Sequence, residues 1–411
     1  MSSKPIELIA FHEITAADKG RVGGKAVALA ELARNGFNVP PGGCLPVTAY
    51  RHFIDATGLR DRILLELKRK AFKQQRWEEV WDSALRIRNM FHTTPLPMEM
   101  ADRLEGQLDA LFGDKAVVVR SSAPGEDSAQ TSFAGLHDSF VNIRGAVAII
   151  DHIKLVWASL WSDGALLYRQ ELGLDIAASA MAVVVQEIAS GECSGVAFTQ
   201  SPTDPNAGVV EAVHGLAQGL VDGTVQPDRW IFDREHAALV DHQPAHRAQR
   251  LIAVDGGVVE QVLPADLAGK APLTDSQAVK VYKTALKIER LHGAPQDFEW
   301  TFCQDDIYAL QSRPVTGLRQ PKSGDQRQWY LSLHRSFDNL LALKEKIEDE
   351  LIPEMVALDR ELAMVDPKGL SDQRLAEEIE RRSGLNDKWI QIYWSEFIPY
   401  AHGIRLFGQV Y

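Results

Sequence analysis

The stretch at residues 116–127 constrains this chain more than any other part of it. A run of apolar residues predicts a buried strand, and the strand end delivers Arg120, two serines and two carboxylates. A second loop of small residues follows at 132–139. Because binding groups are often placed on loops at strand ends, this stretch is suited to holding a polyanion such as a phosphate chain. The alternative is structural, with Arg120 capping the strand and pairing with Glu126 or Asp127.

The composition excludes several classes of protein. The chain has 411 residues, of which 45% are hydrophobic and 24% are charged, values typical of a globular protein with two or three compact units. Its net charge of −12 argues against nucleic-acid binding, which needs a basic face. No apolar run is long enough to span a bilayer, and the amino terminus lacks a signal pattern. We therefore expect a soluble cytoplasmic protein that binds neither nucleic acid nor membrane.

The cysteines indicate neither a disulfide framework nor a structural zinc site. Cys44, Cys193 and Cys303 lie far apart and in no CxxC spacing. This usage fits a reducing compartment.

A glycine-rich segment before Lys25 has the outline of an anion site. Glycines precede an alanine- and leucine-rich helical pattern, so backbone N–H groups and the positive helix end are expected beside Lys25. The segment is not a Walker A loop, because position 19 is a lysine and Ala26 lacks the hydroxyl that binds magnesium. The alternative is a glycine turn followed by a solvent-exposed lysine.

Three further strands are predicted in the middle of the chain. The strand at 181–188 ends in Gln186 and Glu187, where it either forms an adenine-binding edge or is a core strand followed by a turn. Two more strands at 194–199 and 209–213 are joined by a polar loop, and Glu211 is either a site residue or a strand carboxylate.

A hairpin at 296–315 places four polar residues on one face. Asp297, Glu299, Gln311 and Arg313 share the parity that directs each arm's pair to the same side. A carboxylate, an amide oxygen and a guanidinium can converge there, a set that suits magnesium and phosphate. The alternative is a solvent-facing salt bridge.

Taken together and in order, these motifs resemble those of phosphoenolpyruvate synthases, pyruvate phosphate dikinases and rifamycin phosphotransferases, and the ATP-binding subunit of phenylphosphate synthase is also similar. The resemblance covers residues 6 to about 316. The motifs that carry it are Gly23-Gly24-Lys25, Val119-Arg120-Ser121-Ser122, Glu126-Asp127, Ser132-Phe133-Ala134-Gly135, Gln186-Glu187, Ser194-Gly195-Val196-Ala197-Phe198-Thr199, Glu299 and Gln311-Ser312-Arg313-Pro314.

The resemblance implies an α+β fold of the ATP-grasp type, in which two to three subdomains clamp MgATP. It implies an ATP-grasp domain at 1–316, a linker at 317–328 and an all-helical extension or connector at 329–411. Lys25, Arg120 and Arg313 are implied to hold the triphosphate and to act in catalysis. The other implied contacts are Gly135 and Ser139 over the phosphates, Gln186 with Glu187 near the adenine, and Glu299 with Gln311 on Mg²⁺.

The family also implies a phosphotransferase reaction with a partner. Its members pass the phosphoryl group through a histidine in a separate domain, and none of the 12 histidines here matches that motif. The resemblance thus implies the ATP half of a dikinase-type enzyme. A separate histidine-bearing domain or subunit would phosphorylate pyruvate or a phenol-type acceptor bound elsewhere. The alternatives are a half resembling rifamycin phosphotransferase and a non-catalytic nucleotide-sensing module.

Helical patterns are predicted at 59–91, interpreted as a solvated helical hairpin, at 149–172, with Trp157, Trp161 and Tyr168 as core aromatics, and at 274–292.

Beyond the linker, helical patterns are predicted at 329–352, 353–364, 372–382 and 386–411. Large apolar residues recur at helical intervals over the closing segment, so the segment either docks the histidine-bearing part or packs into its own helical core. These residues are Trp389, Ile392, Tyr393, Phe397, Ile404, Phe407 and Tyr411.

Overall fold

A computed structural model describes residues 7–69, 77–124, 138–171, 179–202, 204–221, 225–254, 257–315, 343–397 and 400. The chain divides into two compact units. Unit 1 comprises Met1–Leu220 with Val225–Leu318, and unit 2 comprises Val221–Thr224 with Arg319–Tyr411.

Antiparallel strands form the framework of unit 1. In chain order they are β1 (Ile9–Ala10), β2 (Gly42–Leu45), β3 (Val117–Ser122), β4 (Ser139–Ile143), β5 (Ala182–Glu187), β6 (Cys193–Phe198), β7 (Ala207–His214), β8 (Asp228–Asp233), β9 (Ala238–Gln243), β10 (Gln249–Val254), β11 (Gly257–Val262), β12 (Gln296–Cys303) and β13 (Asp306–Pro314). They make a five-stranded sheet ordered β1-β2-β5-β3-β4, a six-stranded sheet ordered β13-β12-β6-β7-β8-β9, and the hairpin β10–β11. The expected mixed α+β class with antiparallel sheets is confirmed.

Helices pack on both faces of the five-stranded sheet and on one face of the six-stranded sheet. They are α1 (Lys19–Arg34), α2 (Val47–Ala56), α3 (Leu59–Leu67), α4 (Trp77–Thr93), α5 (Met98–Phe112), α6 (Ala146–Ser159), α7 (Asp163–Glu171), α8 (Gln218–Val221), α9 (Ala265–Ala268) and α10 (Asp275–His292). Helices α2 to α7 pack on the five-stranded sheet, where Val119 and Val185 are fully buried beside Trp157. Helix α1 packs on its opposite face, against Cys44 and Val184.

The six-stranded sheet has one apolar face, and α10 covers it. Phe298 and Trp300 of β12 and Trp230 of β8 are fully buried there with Tyr282 of α10. Side chains alternate between the faces of a strand, so the residues between these aromatics point to the other side of the sheet. That second face carries the polar residues of the hairpin.

The predicted hairpin is confirmed with its register. Asp297 lies opposite Arg313 and Glu299 opposite Gln311, so each pair shares a face. The turn uses Gln304 at φ 49° and Asp305 at φ 68°, a left-handed conformation that polar residues tolerate better than branched ones.

Several predicted boundaries are wrong. The helix expected from residue 149 to 172 is two helices, α6 and α7, with a break at 160–162. The charge-dense segment at 59–91 is not simply a solvated hairpin, since Ile87 and Phe91 of α4 are fully buried. Trp157 and Trp161 are core aromatics as predicted, whereas the side chain of Tyr168 lies outside the described set.

Unit 2 is helical over its described residues. It contains a π-helical turn at Lys346–Leu351, α11 (Ile352–Ala363) and α12 (Asp372–Ile392). The break predicted between 382 and 386 is wrong, because α12 runs through Gly384. Ile392 and Phe397 pack against Leu343 and Ile347, which favours the own-core alternative for those two side chains. The linker at 317–328, residues 329–342, Ile404, Phe407 and Tyr411 lie outside the described residues.

The cysteines are free thiols, as expected. Burial raises the pKa of Cys193 to about 12 and that of Cys44 even further, so both stay protonated near neutral pH. Among the helices in the described ranges, none is both long and apolar enough to cross a membrane.

A close approach at Gly23 joins α1 to β3. Helix α1 is interrupted there, with Gly23 at φ 79° and ψ 173°. A Cβ at this position would lie 2.2 Å from the carbonyl oxygen of Ser122. The Ser122 hydroxyl donates to the carbonyl of Val22 at 2.6 Å and accepts from the amide of Ala26 at 3.3 Å. Only glycine fits this junction. The junction therefore fixes the point at which α1 resumes and so the position of Lys25.

We expect Gly23→Ala to lower the free energy of unfolding by about 1–3 kcal/mol, because the new Cβ meets both a left-handed φ and the backbone of β3. Gly20→Ala is the matched control: Gly20 lies in the same helix, and nothing lies within 4 Å of the place that a Cβ would take there. Urea denaturation of both variants measures the difference. Equal stabilities would contradict the account of this junction.

Candidate functional site

Arg120 connects the two large sheets. It lies on β3 opposite Ser139 of β4, on the face that α1 partly covers. Its Nη1 donates to the carbonyl oxygen of Leu310 at 3.2 Å and lies 3.9 Å from Oε2 of Glu299. The Arg120 and Glu299 side chains are 19% and 13% exposed. The predicted partners Glu126 and Asp127 lie outside the described residues.

A β-bulge in β13 supplies the carbonyl that Arg120 contacts. Glu299 pairs with Gln311 and Trp300 pairs with Ala309, so Leu310 is an extra residue without a cross-strand partner. Bulges change the direction of local groups and are common beside functional sites. This one turns the Leu310 carbonyl toward the other sheet, next to the predicted metal ligand Gln311.

Arg313 is held by Asp297. Its Nε and Nη2 both lie 2.9 Å from Oδ2 of Asp297, directly across the hairpin. The two side chains are only 10% and 5% exposed. The alternative of a solvent-facing salt bridge is therefore wrong: the ion pair exists, but it is shielded from water.

Lys25 lies at the beginning of the helical segment that follows Gly23. Its Nζ is 3.4 Å from the hydroxyl of Ser121, which is 1% exposed. The ammonium group therefore lies at the end of β3 and beside the positive end of a helix segment, as the glycine pattern predicted.

Two of the other predicted site residues, Gln186 and Glu187, have structural partners. The Gln186 amide donates to the Pro40 carbonyl at 3.2 Å, and Gln186 is 2% exposed. Glu187 accepts a hydrogen bond from Lys115 at 2.7 Å. Ser139 is exposed on β4, and Gly135 lies outside the described residues. Contacts of these four residues with a ligand remain predictions.

The strand registers show the order in which the predicted site residues lie along each sheet. The chain passes from β5 to β6 between residues 187 and 193, and Gln186 lies opposite Val118 near this crossing. Arg120 lies two residues further along β3, and Ser121 follows it. On the other sheet, Asp297 lies opposite Phe198, the end of β6 away from the crossing. Gln186 therefore lies near the crossing. The cationic side chains lie farther from it, with Arg120 and the neighbouring Lys25 at the five-stranded sheet and Arg313, opposite Asp297, on the six-stranded sheet.

The predicted metal pair has suitable chemistry. Glu299 and Gln311 face each other across the hairpin and offer a carboxylate and an amide oxygen, the hard ligands that Mg²⁺ prefers. Within the described ranges, no group of three or more His, Cys, Asp and Glu side chains is arranged to hold a metal ion. A bound ion would therefore take its other ligands from phosphate oxygens and water.

Glu211 lies in the same cross-sheet row as Glu299, with Val196 between them. Its carboxylate accepts from Nε and Nη2 of Arg229 at 3.0 and 2.7 Å. Arg229 is half-exposed. This pairing favours the interpretation of Glu211 as a strand carboxylate.

Sequence reasoning missed three contributions to the site. It placed Asp297 on the correct face without recognising that it holds Arg313. It gave Ser122 no role, and it could not identify the Leu310 carbonyl, because a backbone group leaves no signature in residue type. The alternation of the hairpin was the only available signal for Asp297.

Comparison with known proteins identifies the class. The family model "Pyruvate phosphate dikinase, AMP/ATP-binding domain" matches residues 19–330. The chain belongs to this family, and the resemblance seen in the motifs is confirmed. The antiparallel α+β architecture is consistent with the ATP-grasp fold of such domains.

The relatives are named as phosphoenolpyruvate synthases and rifampicin phosphotransferases. The chain is 33% identical over 322 residues to a probable phosphoenolpyruvate synthase of Methanothermobacter thermautotrophicus, covering 77% of this chain and 47% of that protein. It is 36% identical over 321 residues to a rifampicin phosphotransferase of Streptomyces sviceus, covering 77% and 36%. A phosphoenolpyruvate synthase of Pyrococcus furiosus is 31% identical over 362 residues, covering 77% and 44%. The chain spans less than half the length of these relatives.

We expect Arg313→Ala to lower the free energy of unfolding by about 3–5 kcal/mol, because it removes the guanidinium that pairs with the nearly buried Asp297 carboxylate. Arg229→Ala is the matched control. It breaks another cross-strand pair on the same sheet, but one whose arginine is 51% exposed, and should cost at most about 1 kcal/mol. Urea denaturation compares them, and an equal loss in both variants would contradict the shielding assigned to Arg313.

Proposed function

We propose that unit 1 binds MgATP between its two large sheets, at the faces that carry Arg120 and Glu299, and is the ATP-binding component of a dikinase-type phosphotransferase. The observation that carries the proposal is the contact of Arg120 with Glu299 and Leu310 across the sheets. It brings a cation, a carboxylate and a backbone carbonyl to one place within a domain of an ATP-binding family. This arrangement supports the proposal of a clamp of the ATP-grasp type.

The proposed pose follows the order of groups along the strands. Gln186 and Glu187 lie near the adenine, and the triphosphate extends toward Lys25, Arg120 and Arg313, with Gly135 and Ser139 covering it. Phosphoryl transfer depends mainly on positioning and charge neutralisation, which fixed cations supply. Glu299 and Gln311 would hold Mg²⁺, which neutralises phosphate charge when bound.

The proposed acceptor is a histidine on a separate domain or subunit. Its imidazole nitrogen attacks the phosphorus of the transferred phosphoryl or pyrophosphoryl group, and the bond to the leaving phosphate oxygen breaks. With water as co-substrate, the overall products are AMP, phosphate and a phosphohistidine. The phosphohistidine then phosphorylates a small molecule, either pyruvate or a phenol-type acceptor.

Two alternatives remain open to test. An ATP half like that of rifampicin phosphotransferase is supported by the 36% identity to that enzyme. A nucleotide-sensing module would bind ATP without turnover, but the presence of Lys25, Arg120, Glu299, Gln311 and Arg313 together favours an enzyme.

We expect Lys25→Met to raise the dissociation constant for MgATP by about 10- to 100-fold, since one charge-assisted contact to phosphate is lost. Lys19→Met is the matched control, because Lys19 is an exposed lysine in the same helix and should leave binding unchanged. Isothermal calorimetry with and without Mg²⁺ measures both. Equal affinities of the wild-type chain and Lys25→Met would refute the triphosphate assignment.

We expect the chain by itself to form no acid-labile phosphohistidine and to cleave little ATP, because the acceptor histidine is proposed to lie elsewhere. Incubation with ATP labelled separately at the β and γ phosphates, followed by acid and base treatment, tests this. Robust labelling of this chain alone would show that the acceptor is one of its own residues.

A further inference from the structure

A second bulge in unit 1 directs Asn142 away from its sheet. On β4, Val141 pairs with Val118 and Ile143 with Val117, so Asn142 is an extra residue in the ladder. Its φ is 66°, a left-handed value that asparagine tolerates better than most side chains. A bulge in this conformation re-aims the side chain of its extra residue.

The side chain of Asn142 is hydrogen-bonded to the hairpin β10–β11. Nδ2 of Asn142 donates to the carbonyls of Val254 and Gly257 at 2.5 and 2.6 Å. These two residues form the last pair of the hairpin before its turn. Both amide hydrogens are therefore used on one structural element, and Asn142 is 4% exposed.

The hairpin is attached at its other end to the segment that leaves the six-stranded sheet. Leu251 of β10 forms a parallel bridge with Gly215, immediately after β7, and its carbonyl accepts from the amide of Leu216 at 2.9 Å. We call the hairpin β10–β11 the strap. Asn142 bonds the five-stranded sheet to the strap, and Leu251 bonds the strap to the segment that follows β7 of the six-stranded sheet. This tie is separate from the Arg120–Glu299 contact.

The conformation of Asn142 is energetically unfavourable by itself. A left-handed φ at a non-glycine residue is strained, and in the described part of the chain Oδ1 of Asn142 is buried without a hydrogen-bond partner. Such costs persist where a local geometry serves a function.

We infer that Asn142 is a positioning residue for the nucleotide site. Strand β4 carries Ser139 opposite Arg120, three residues before Asn142. By fixing the strap to β4, the Asn142 amide sets the spacing of the two faces on which Arg120 and Glu299 lie. Its own side chain is engaged by the hairpin and touches no proposed ligand group. This role rests on the proposed binding of ATP between the sheets.

The test compares Asn142→Gly with the wild-type chain. Glycine adopts the left-handed backbone readily, and its lack of a side chain removes the amide that bonds the hairpin. We expect the dissociation constant for MgATP to rise at least about tenfold, and backbone amides at 249–254 and 257–262 to exchange hydrogen faster, with exchange in α2 to α6 unchanged. Gln261→Ala is the control, since it removes an exposed hydrogen bond from Arg250 within the same hairpin. It should leave affinity unchanged.

The outcomes separate this inference from the proposed function. A wild-type chain that does not bind MgATP overturns both. Wild-type binding with an unchanged affinity in Asn142→Gly overturns the positioning role alone. Unchanged exchange in the hairpin, or faster exchange throughout unit 1, overturns it as well, because the amide would then not act through the strap.

Discussion

The contact of Arg120 with the opposite sheet is the interaction on which the candidate site depends. A guanidinium stays protonated, so a side chain that is only 19% exposed needs acceptors close by. The Leu310 carbonyl and the Glu299 carboxylate supply them from β13 and β12. Arg120 lies on the face of the five-stranded sheet that α1 partly covers, and Glu299 lies on the face of the six-stranded sheet opposite α10. Apolar side chains of α1 pack against both sheets, and the charged contact of Arg120 with Glu299 lies beside them, where it is suited to an anionic ligand.

Short-range sequence patterns predicted the elements whose formation depends mainly on neighbouring residues. Alternation along 296–315 gave the hairpin and its shared face, and the amphipathic pattern at 274–292 gave α10. The order of motifs gave the family. The patterns could not distinguish one helix from two at 160–162, or recognise that α12 continues through Gly384, since tertiary packing outweighs a single weak helix former.

The parts that escaped prediction are backbone and long-range features. Leu310 and Asn142 act through bulges, and no residue type marks a bulge in sequence. Gly23 was recognised as part of a glycine pattern, but its requirement comes from Ser122, which is far away in sequence. The shielding of Arg313 likewise depends on how closely the surrounding chain covers the hairpin. Residue types therefore indicated the chemistry of the site, whereas the contacts that hold each group in place required the structure.

An acidic chain can still bind a polyanion, because distance decides which charges act. The net charge of −12 is spread over 411 residues, and at physiological ionic strength charges farther than about 8 Å are largely screened. Lys25, Arg120 and Arg313 would act at contact distance, where screening is weak and the surroundings are less polar than water. Asp297 and Glu299 then have different effects. Asp297 neutralises Arg313 while fixing its direction, whereas Glu299 faces Arg120 at 3.9 Å, a spacing loose enough for a cation and phosphate oxygens to compete for both groups. The contact between Arg120 and Glu299 is therefore the one that would change when a nucleotide binds, whereas Arg313 would keep its pairing with Asp297 while it contacts phosphate.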